Sequence, residues 1–255
     1  MKLSRFRVLL SNDDGINAPG MKVLMRAAEG LFREVWVVAP ETEQSAASHS
    51  LTLRRPLRIR KISKRRYAVD GTPTDSVLLG VREIMKEAPP DLVLSGINRG
   101  GNLGEDITYS GTVAAAMEGA LLGIPAVALS QFFRNRQALS WRTAEVWTVQ
   151  VLKKLAKTDW SRGVLMNVNF PDIPPEEVIG IEIVRQGRRK LSGELQSGND
   201  PRGDPYFWIG VQRNEEKFCK GTDLEAIERG AIAVTPLTMD LTHTMTLRKL
   251  KGLVE

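Results

Sequence analysis

Short apolar runs alternate with segments of helical period from Arg7 to Asn169, and this alternation constrains the fold more than any other feature. Brief runs bounded by Gly, Pro, Asn or Asp read as strands. The amphipathic stretches between them read as helices, so the order is that of βαβ units on a mainly parallel sheet. Strands are expected at Arg7–Leu10, Glu34–Ala39, Leu57–Ile62, Tyr67–Asp70, Asp91–Ser95, Ala126–Ser130 and Val164–Asn169. One helix starts near Pro19, a residue suited to a first helical turn, with Leu24, Ala27, Ala28 and Leu31 on one face. A second follows Thr72-Pro73-Thr74-Asp75 and carries Val77, Leu78, Val81, Ile84 and Met85 inward, and two more are expected at Thr112–Leu122 and Ala138–Ala156. After Pro171 the texture changes. Val178–Arg185 and Tyr206–Gly210 read as strands, the polar link Gln186–Pro205 suits a projecting hairpin, and a short helix Asp223–Arg229 precedes a strand Ala231–Thr235. The expected division is a core over residues 1–172 and an extension over 173–255.

A chain of 255 residues is long enough for one large α/β domain, or a core with an appendage, and 42% hydrophobic with 26% charged residues is ordinary globular composition. The 36 Lys and Arg against 30 Asp and Glu leave a formal net charge of +6, which favours anionic substrates. The basic runs Arg54–Arg66 and Arg185–Lys190 lack the interleaved aromatics of a single-strand nucleic-acid platform. Cys219 is the sole cysteine and His49 and His243 the only histidines, so a disulfide framework, a thiolate cluster and a multi-histidine zinc site are excluded. Any metal should be oxygen-ligated, Mg²⁺ or Mn²⁺ before zinc. No secretory apolar segment precedes Asp13. The most apolar later stretch, Val113–Leu129, contains Glu118, Gly123 and Pro125 and falls short of a membrane span, so the expected location is the cytoplasm.

In open α/β sheets ligands sit beyond the carboxyl ends of the strands. Ser11-Asn12-Asp13-Asp14-Gly15 follows the first strand there, Pro40-Glu41-Thr42-Glu43-Gln44-Ser45 the second, and Gly96-Ile97-Asn98-Arg99-Gly100-Gly101-Asn102 the third parallel one. Adjacent aspartates repel and raise each other's pKa, and a hard divalent cation removes that penalty. The alternative is that Asp13 caps the turn and Asp14 is solvated. Gly96–Thr112 carries five glycines and two asparagines in seventeen residues, and Tyr109-Ser110-Gly111-Thr112 opens a helix of small residues. Free N–H groups and the helix dipole make that start a phosphate site, against the reading of Ser110 or Thr112 as an ordinary N-cap. No Gly-Lys-Ser/Thr follows the glycines, no Gly-x-Gly-x-x-Gly follows the first strand, and no Gly-x-Ser-x-Gly surrounds Ser45 or Ser48 near His49. P-loop NTPases, dinucleotide oxidoreductases and serine hydrolases are thereby disfavoured.

Taken together, these segments resemble the SurE family of stationary-phase survival proteins, which are 5′/3′-nucleotidases. The likeness rests on Leu10–Gly15, Val37–Pro40, Ser45 with Ser48–Thr52, Gly71–Asp75, Ser95–Asn98, Asn102–Gly104 and Tyr109–Val113. It continues through Asp200–Gly203, Trp208–Gly210, Gly221–Asp223 and Thr235–Leu237, and so spans nearly the whole chain. The resemblance implies a Rossmann-like three-layer core and a hairpin-rich C-terminal extension that pairs subunits into homodimers or homotetramers. It implies one divalent cation on Asp13, Asp14, Ser45 and Asn98, and nucleoside 5′- and 3′-monophosphates as substrates, with short polyphosphate in some members. Departures from the family pattern are Gln44 where a basic residue is common, Ala46 where glycine is frequent and Gly101 where proline is usual. None removes an implied ligand, and the absent positive charge beside Ser45 bears on phosphate affinity.

The expected chemistry is metal-dependent hydrolysis of a phosphomonoester. Asp13 and Asp14 act at the reacting centre, and Asn98, Ser110, Gly111 and Thr112 meet the phosphate. Water attack is favoured over a phospho-aspartyl intermediate at Asp13. The rivals are a non-enzymatic nucleotide sensor on the same fold and a nucleic-acid-binding protein working through the basic strands.

Overall fold

A computed structural model describes residues 2–134, 139–188, 195–209 and 218–253. Nine strands form one sheet in the order β3-β4-β2-β1-β5-β6-β7-β11-β8. These are β1 (Arg7–Ser11), β2 (Glu34–Pro40), β3 (Ile59–Ser63), β4 (Arg66–Val69), β5 (Leu92–Arg99), β6 (Ala126–Gln131), β7 (Val164–Phe170), β8 (Ile181–Ile183) and β11 (Ile232–Thr238). The pairings from β4 through β7 are all parallel, while β3 on β4 and β11 on β7 are antiparallel. The central strands β1, β5 and β6 are almost wholly buried because both faces are covered, whereas the edge strand β3 is largely exposed. In β1, Val8 and Leu10 enter one core with Leu92 and Leu94 of β5, while Leu9 enters the other with Val93.

Helices α1 (Pro19–Glu29) and α4 (Arg142–Leu155) pack together over the first face, and α2 (Pro73–Leu79) and α3 (Gly111–Leu121) over the second. This is the expected three-layer α/β architecture. Pro19 stands in the first turn of α1, whose buried face is Met21, Val23, Leu24 and Ala28, with Ala27 and Leu31 only half-buried. Helix α2 opens on a capping box: the Thr72 hydroxyl accepts from the Asp75 N–H, and the Asp75 carboxylate accepts from the Thr72 N–H. The helix expected to run on to Met85 instead widens into a π turn over Gly80–Ile84, closed by the Met85 N–H on the Gly80 carbonyl at 2.9 Å. That insertion still buries Val77, Val81 and Met85 and leaves Leu78 and Ile84 at the margin.

Chain order reverses at β1. The chain runs outward through β2 and β4, then crosses back to β5 on the other side of β1. The crevice beyond the ends of β1 and β5 is therefore the switch point of the sheet.

Two sequence expectations shift. Strand β5 continues to Arg99, through a register irregularity between Ser95 and Asn98, so Asn98 belongs to the strand and not to the glycine-rich loop. The described part of α4 starts at Arg142, and the expected start at Ala138 lies outside the described residues. The polar link expected to form a hairpin does so: it carries strand β9 (Leu195–Asn199), which pairs antiparallel with β10 (Pro205–Ile209) as a two-stranded sheet of its own. Its turn is organised by Asp200, whose Oδ1 accepts the N–H groups of Arg202 at 2.8 Å and Asp204 at 2.9 Å. Beyond it come α5 (Asp223–Glu228), β11 and a helix the sequence reading did not mark, α6 (Thr244–Lys251). No helix among the described residues is long and apolar enough to cross a membrane.

Candidate active site

The turn after β1 is held from within and from without. The Asn12 side-chain amide donates to the Gly15 carbonyl at 2.8 Å, and the Asp13 carbonyl accepts the Gln44 N–H at 2.8 Å. The loop after β2 is thereby pinned to the acidic turn, bringing together two segments thirty residues apart. Asp13 is buried and Asp14 half-buried, and both line one cleft with Ser45, Asn98 and Ser110. The two acids thus face a common space and not opposite sides of the fold.

Burial pushes the Asp13 carboxyl up to about 6 from an ordinary 3.8, and the neighbouring Asp14 charge pushes the same way, against a hydrogen bond from the Thr112 hydroxyl. Asp14 is also raised, chiefly by burial and further by the Glu43 charge; the Arg99 N–H at 3.2 Å and the Arg99 charge oppose the rise. Two carboxylates held where ionisation is disfavoured are what a positive charge between them would relieve.

The remaining residues arrive on separate elements. The Ser45 hydroxyl donates to Glu43 Oε1 at 2.6 Å. Its loop passes through left-handed backbone at Ala46 (φ 59°) and Ser48 (φ 52°). The loop is tied down where the Ser48 hydroxyl donates to the Thr108 carbonyl at 2.8 Å and His49 pairs with Glu118 of α3 at 3.1 Å. On β5, the Asn98 side-chain NH₂ donates to the Gly100 carbonyl at 2.9 Å, which leaves its carbonyl oxygen as the atom suited to a cation.

At the start of α3 Ser110 is the N-cap, accepting the Val113 N–H at 3.0 Å, so its hydroxyl does what an ordinary cap does while also lining the cleft. Thr112 is fully buried with its hydroxyl on Asp13, and a Cβ on Gly111 would meet Asp13 Cβ at 2.7 Å. These two residues brace Asp13 against the helix, and neither lines the cleft through its side chain. Glu43, Arg99 and Asp106, to which the sequence reading gave no role, do line it. The signal for Glu43 and Arg99 was their position: two before Ser45 and one after Asn98. A buried amide network fixes the glycine-rich loop from below. Asn102 donates from its N–H to Asn169 and from its side chain to Ser130, and its carbonyl accepts from Asn167 and Asn169, all within 3.0 Å.

The donor set fits a hard cation. Among the described residues no three His, Cys, Asp or Glu side chains are arranged to hold a metal. Two carboxylates with a hydroxyl and an amide oxygen, completed by water, are the ligands expected for Mg²⁺ or Mn²⁺ and not for zinc.

The sequence profile of the family described as Survival protein SurE matches residues 8–193. The chain belongs to the SurE family. Among its relatives, the 5′-nucleotidase SurE of Paramagnetospirillum magneticum is 63% identical over 248 residues, covering 97% of this chain and 95% of the relative. The 5′-nucleotidase SurE of Rhodospirillum rubrum is 54% identical over 253 residues, covering 98% and 97%. The crystal structure of the SurE protein from Aquifex aeolicus superimposes with a TM-score of 0.85 at 43% identity, covering 98% of this chain and all of that one. The SurE profile takes in every segment that lines the cleft.

Proposed function

We propose that the chain is a divalent-metal-dependent 5′-nucleotidase that hydrolyses nucleoside monophosphates, 3′ as well as 5′, to nucleoside and phosphate, with short polyphosphate as a further substrate. The observation that carries this reading is the paired carboxylates of Asp13 and Asp14, both raised in pKa and both lining one cleft at the switch point. The names of the relatives point to the same substrate class.

Asp13, Asp14, Ser45 and Asn98 hold one Mg²⁺ or Mn²⁺ per subunit. When bound, that cation offsets charge on the phosphoryl oxygens and lowers the pKa of water at the site. Asp13, braced by Thr112, keeps the position of the pair. Asp14, the more open of the two, orients the attacking water by accepting its hydrogen bond. The phosphate meets the positive end of α3 at Ser110, while Gly111 and Thr112 serve the site by holding Asp13. Arg99, in the same cleft, supplies the cation that Gln44 does not. Water oxygen bonds to phosphorus as the ester P–O bond breaks, and the nucleoside leaves with a proton on its oxygen.

The extension over 173–255 serves self-association into homodimers or homotetramers. The β9–β10 arm exposes Phe207, Trp208 and Ile209, and α6 exposes Met245 and Leu250. The reaction takes place in the cytoplasm. Phosphate release from a panel of phosphorylated compounds, assayed with EDTA, Mg²⁺ and Mn²⁺, tests the reading. Release from nucleoside monophosphates that EDTA abolishes and either metal restores is expected. No release from any of them with either metal overturns it.

A further inference from the structure

The walls of the cleft come from opposite faces of the sheet and differ in chemistry. Ser110 and Asp13, which is braced by α3, belong to the α2–α3 side. Ala18, Pro19 and Gly20 at the start of α1, with Phe133, Leu139 and Trp141 between β6 and α4, belong to the α1–α4 side. The second wall is almost wholly apolar. Phe133 is buried, whereas Leu139 and Trp141 keep part of their surface open to the cleft. The Phe133 and Trp141 rings meet edge to face, with centroids 5.5 Å apart and planes at 85°, which fixes the indole in place. A Cβ on Gly20 would lie 1.8 Å from the Ile97 carbonyl oxygen and 3.0 Å from Trp141 Cη2. Only glycine there lets α1 close on β5 one residue before Asn98, and the same contact holds the indole beside that strand end.

We infer that the Trp141 wall, backed by Phe133 and flanked by Ala18 and Pro19, is the subsite for the nucleobase of the substrate; this rests on the nucleotidase reading. A phosphate and its cation gain nothing from an apolar wall. A cleft of about 760 Å³ has room for a whole nucleotide. Half-open aromatic surface inside such a cleft suits a flat ring, and because every base presents a π face, contact of this kind accepts purines and pyrimidines alike. The base and the phosphate then occupy the two walls, with the ribose between them.

The test compares kcat/KM for AMP, UMP and ribose 5-phosphate, which keeps sugar and phosphate and lacks the base, in Trp141→Ala, Trp141→Leu and Trp141→Phe. The indole makes no capping hydrogen bond to α4, and Trp141→Leu keeps bulk at the position where Trp141→Ala loses it. Trp141→Ala and Trp141→Leu should lower kcat/KM for AMP and UMP about tenfold or more, mainly through KM, while ribose 5-phosphate stays within about twofold and Trp141→Phe recovers most of the loss. Equal losses on all three substrates make the wall structural and overturn the proposal. So does an unchanged Trp141→Leu enzyme alongside a base-selective loss in Tyr109→Ala, which places the base on the opposite wall. A wild-type enzyme that releases phosphate from ribose 5-phosphate but shows no preference for AMP overturns the subsite alone. One that releases phosphate from neither overturns the nucleotidase reading and the subsite with it.

Discussion

At the scale of single residues, Asp13 sets the terms. In the metal-free protein its carboxyl binds a proton up to about pH 6, whereas the unfolded chain releases it near 3.8. Between these values the native state holds more protons, so this group's contribution to stability is present below about pH 4 and is lost as pH rises through 6. Asp13→Asn imitates the protonated form. It should stabilise the metal-free protein at pH 7 by about 3 kcal/mol, fading toward pH 4, while cutting turnover by about 100-fold or more. Thermal unfolding in EDTA across that pH range, paired with a phosphate-release assay, checks both halves. Ala46 bears on the loop that carries Ser45. Its φ of 59° falls where glycine is at ease and a Cβ is not, at the position where the family favours glycine. Ala46→Gly should raise stability by about 0.5–1 kcal/mol in denaturant titration. Arg99→Ala should raise KM for AMP about tenfold with a smaller change in kcat, if its charge meets the phosphate. The acids were legible from their strand-end position, whereas Ser45 and Asn98 were singled out only by the family resemblance. Glu43 and Arg99 were not legible, because their part depends on how closely separate loops approach, which is fixed by the hydrogen bonds of Gln44 to Asp13, Ile16 to Pro40 and Arg99 to Asp14. Thr112 was legible as part of the site but not in its role, since its hydroxyl turns inward to Asp13.

At the scale of elements, the parallel strands and α1–α4 were readable from apolar runs, because strands covered on both faces leave little else. The extension of β5 to Arg99 was hidden by its glycines, and the π turn after α2 by an apolar spacing that a plain helix would also produce. The hairpin was readable in outline, but the bounds of β9 were not, because Gln196, Ser197 and Asn199 carry the polarity that an exposed arm tolerates. Asp223 and Gln186 join this extension to the glycine-rich loop. The buried Asp223 carboxylate accepts the N–H groups of Gly104 at 2.9 Å, Gly187 at 2.7 Å and Leu224 at 2.8 Å, and Gln186 donates to the Gly104 carbonyl at 3.0 Å. The base of the arm and the glycine-rich loop are therefore tied together at Gly104 by both Asp223 and Gln186. Asp223→Asn turns an amide NH₂ toward one of these donors, so stability should fall by about 1–3 kcal/mol. Amide exchange at Gly104 should quicken as its partner is lost; unchanged protection there would mean the anchor carries no load.

At the scale of the molecule, the chain sets an active cleft at the switch point of one sheet and an apolar arm and helix outside it. Trp208 is 69% and Ile209 81% exposed, values unusual for side chains of this kind unless another surface covers them. Trp208→Asp with Ile209→Asp should shift the species measured by light scattering toward the monomer, and an unchanged mass would remove the arm from assembly. Ion pairs such as Arg60 with Glu41 and Arg229 with Glu182 cancel part of the surface charge, and the excess of +6 that remains is one that an anionic substrate approaches without penalty. What unites the three scales is the cation proposed to lie between Asp13 and Asp14. The most direct measurement is anomalous scattering from a crystal soaked in Mn²⁺ at neutral pH. A single strong peak in contact with Asp13, Asp14, Ser45 and Asn98 is the expected result, and a cleft without a peak, or a peak bound elsewhere, would contradict it.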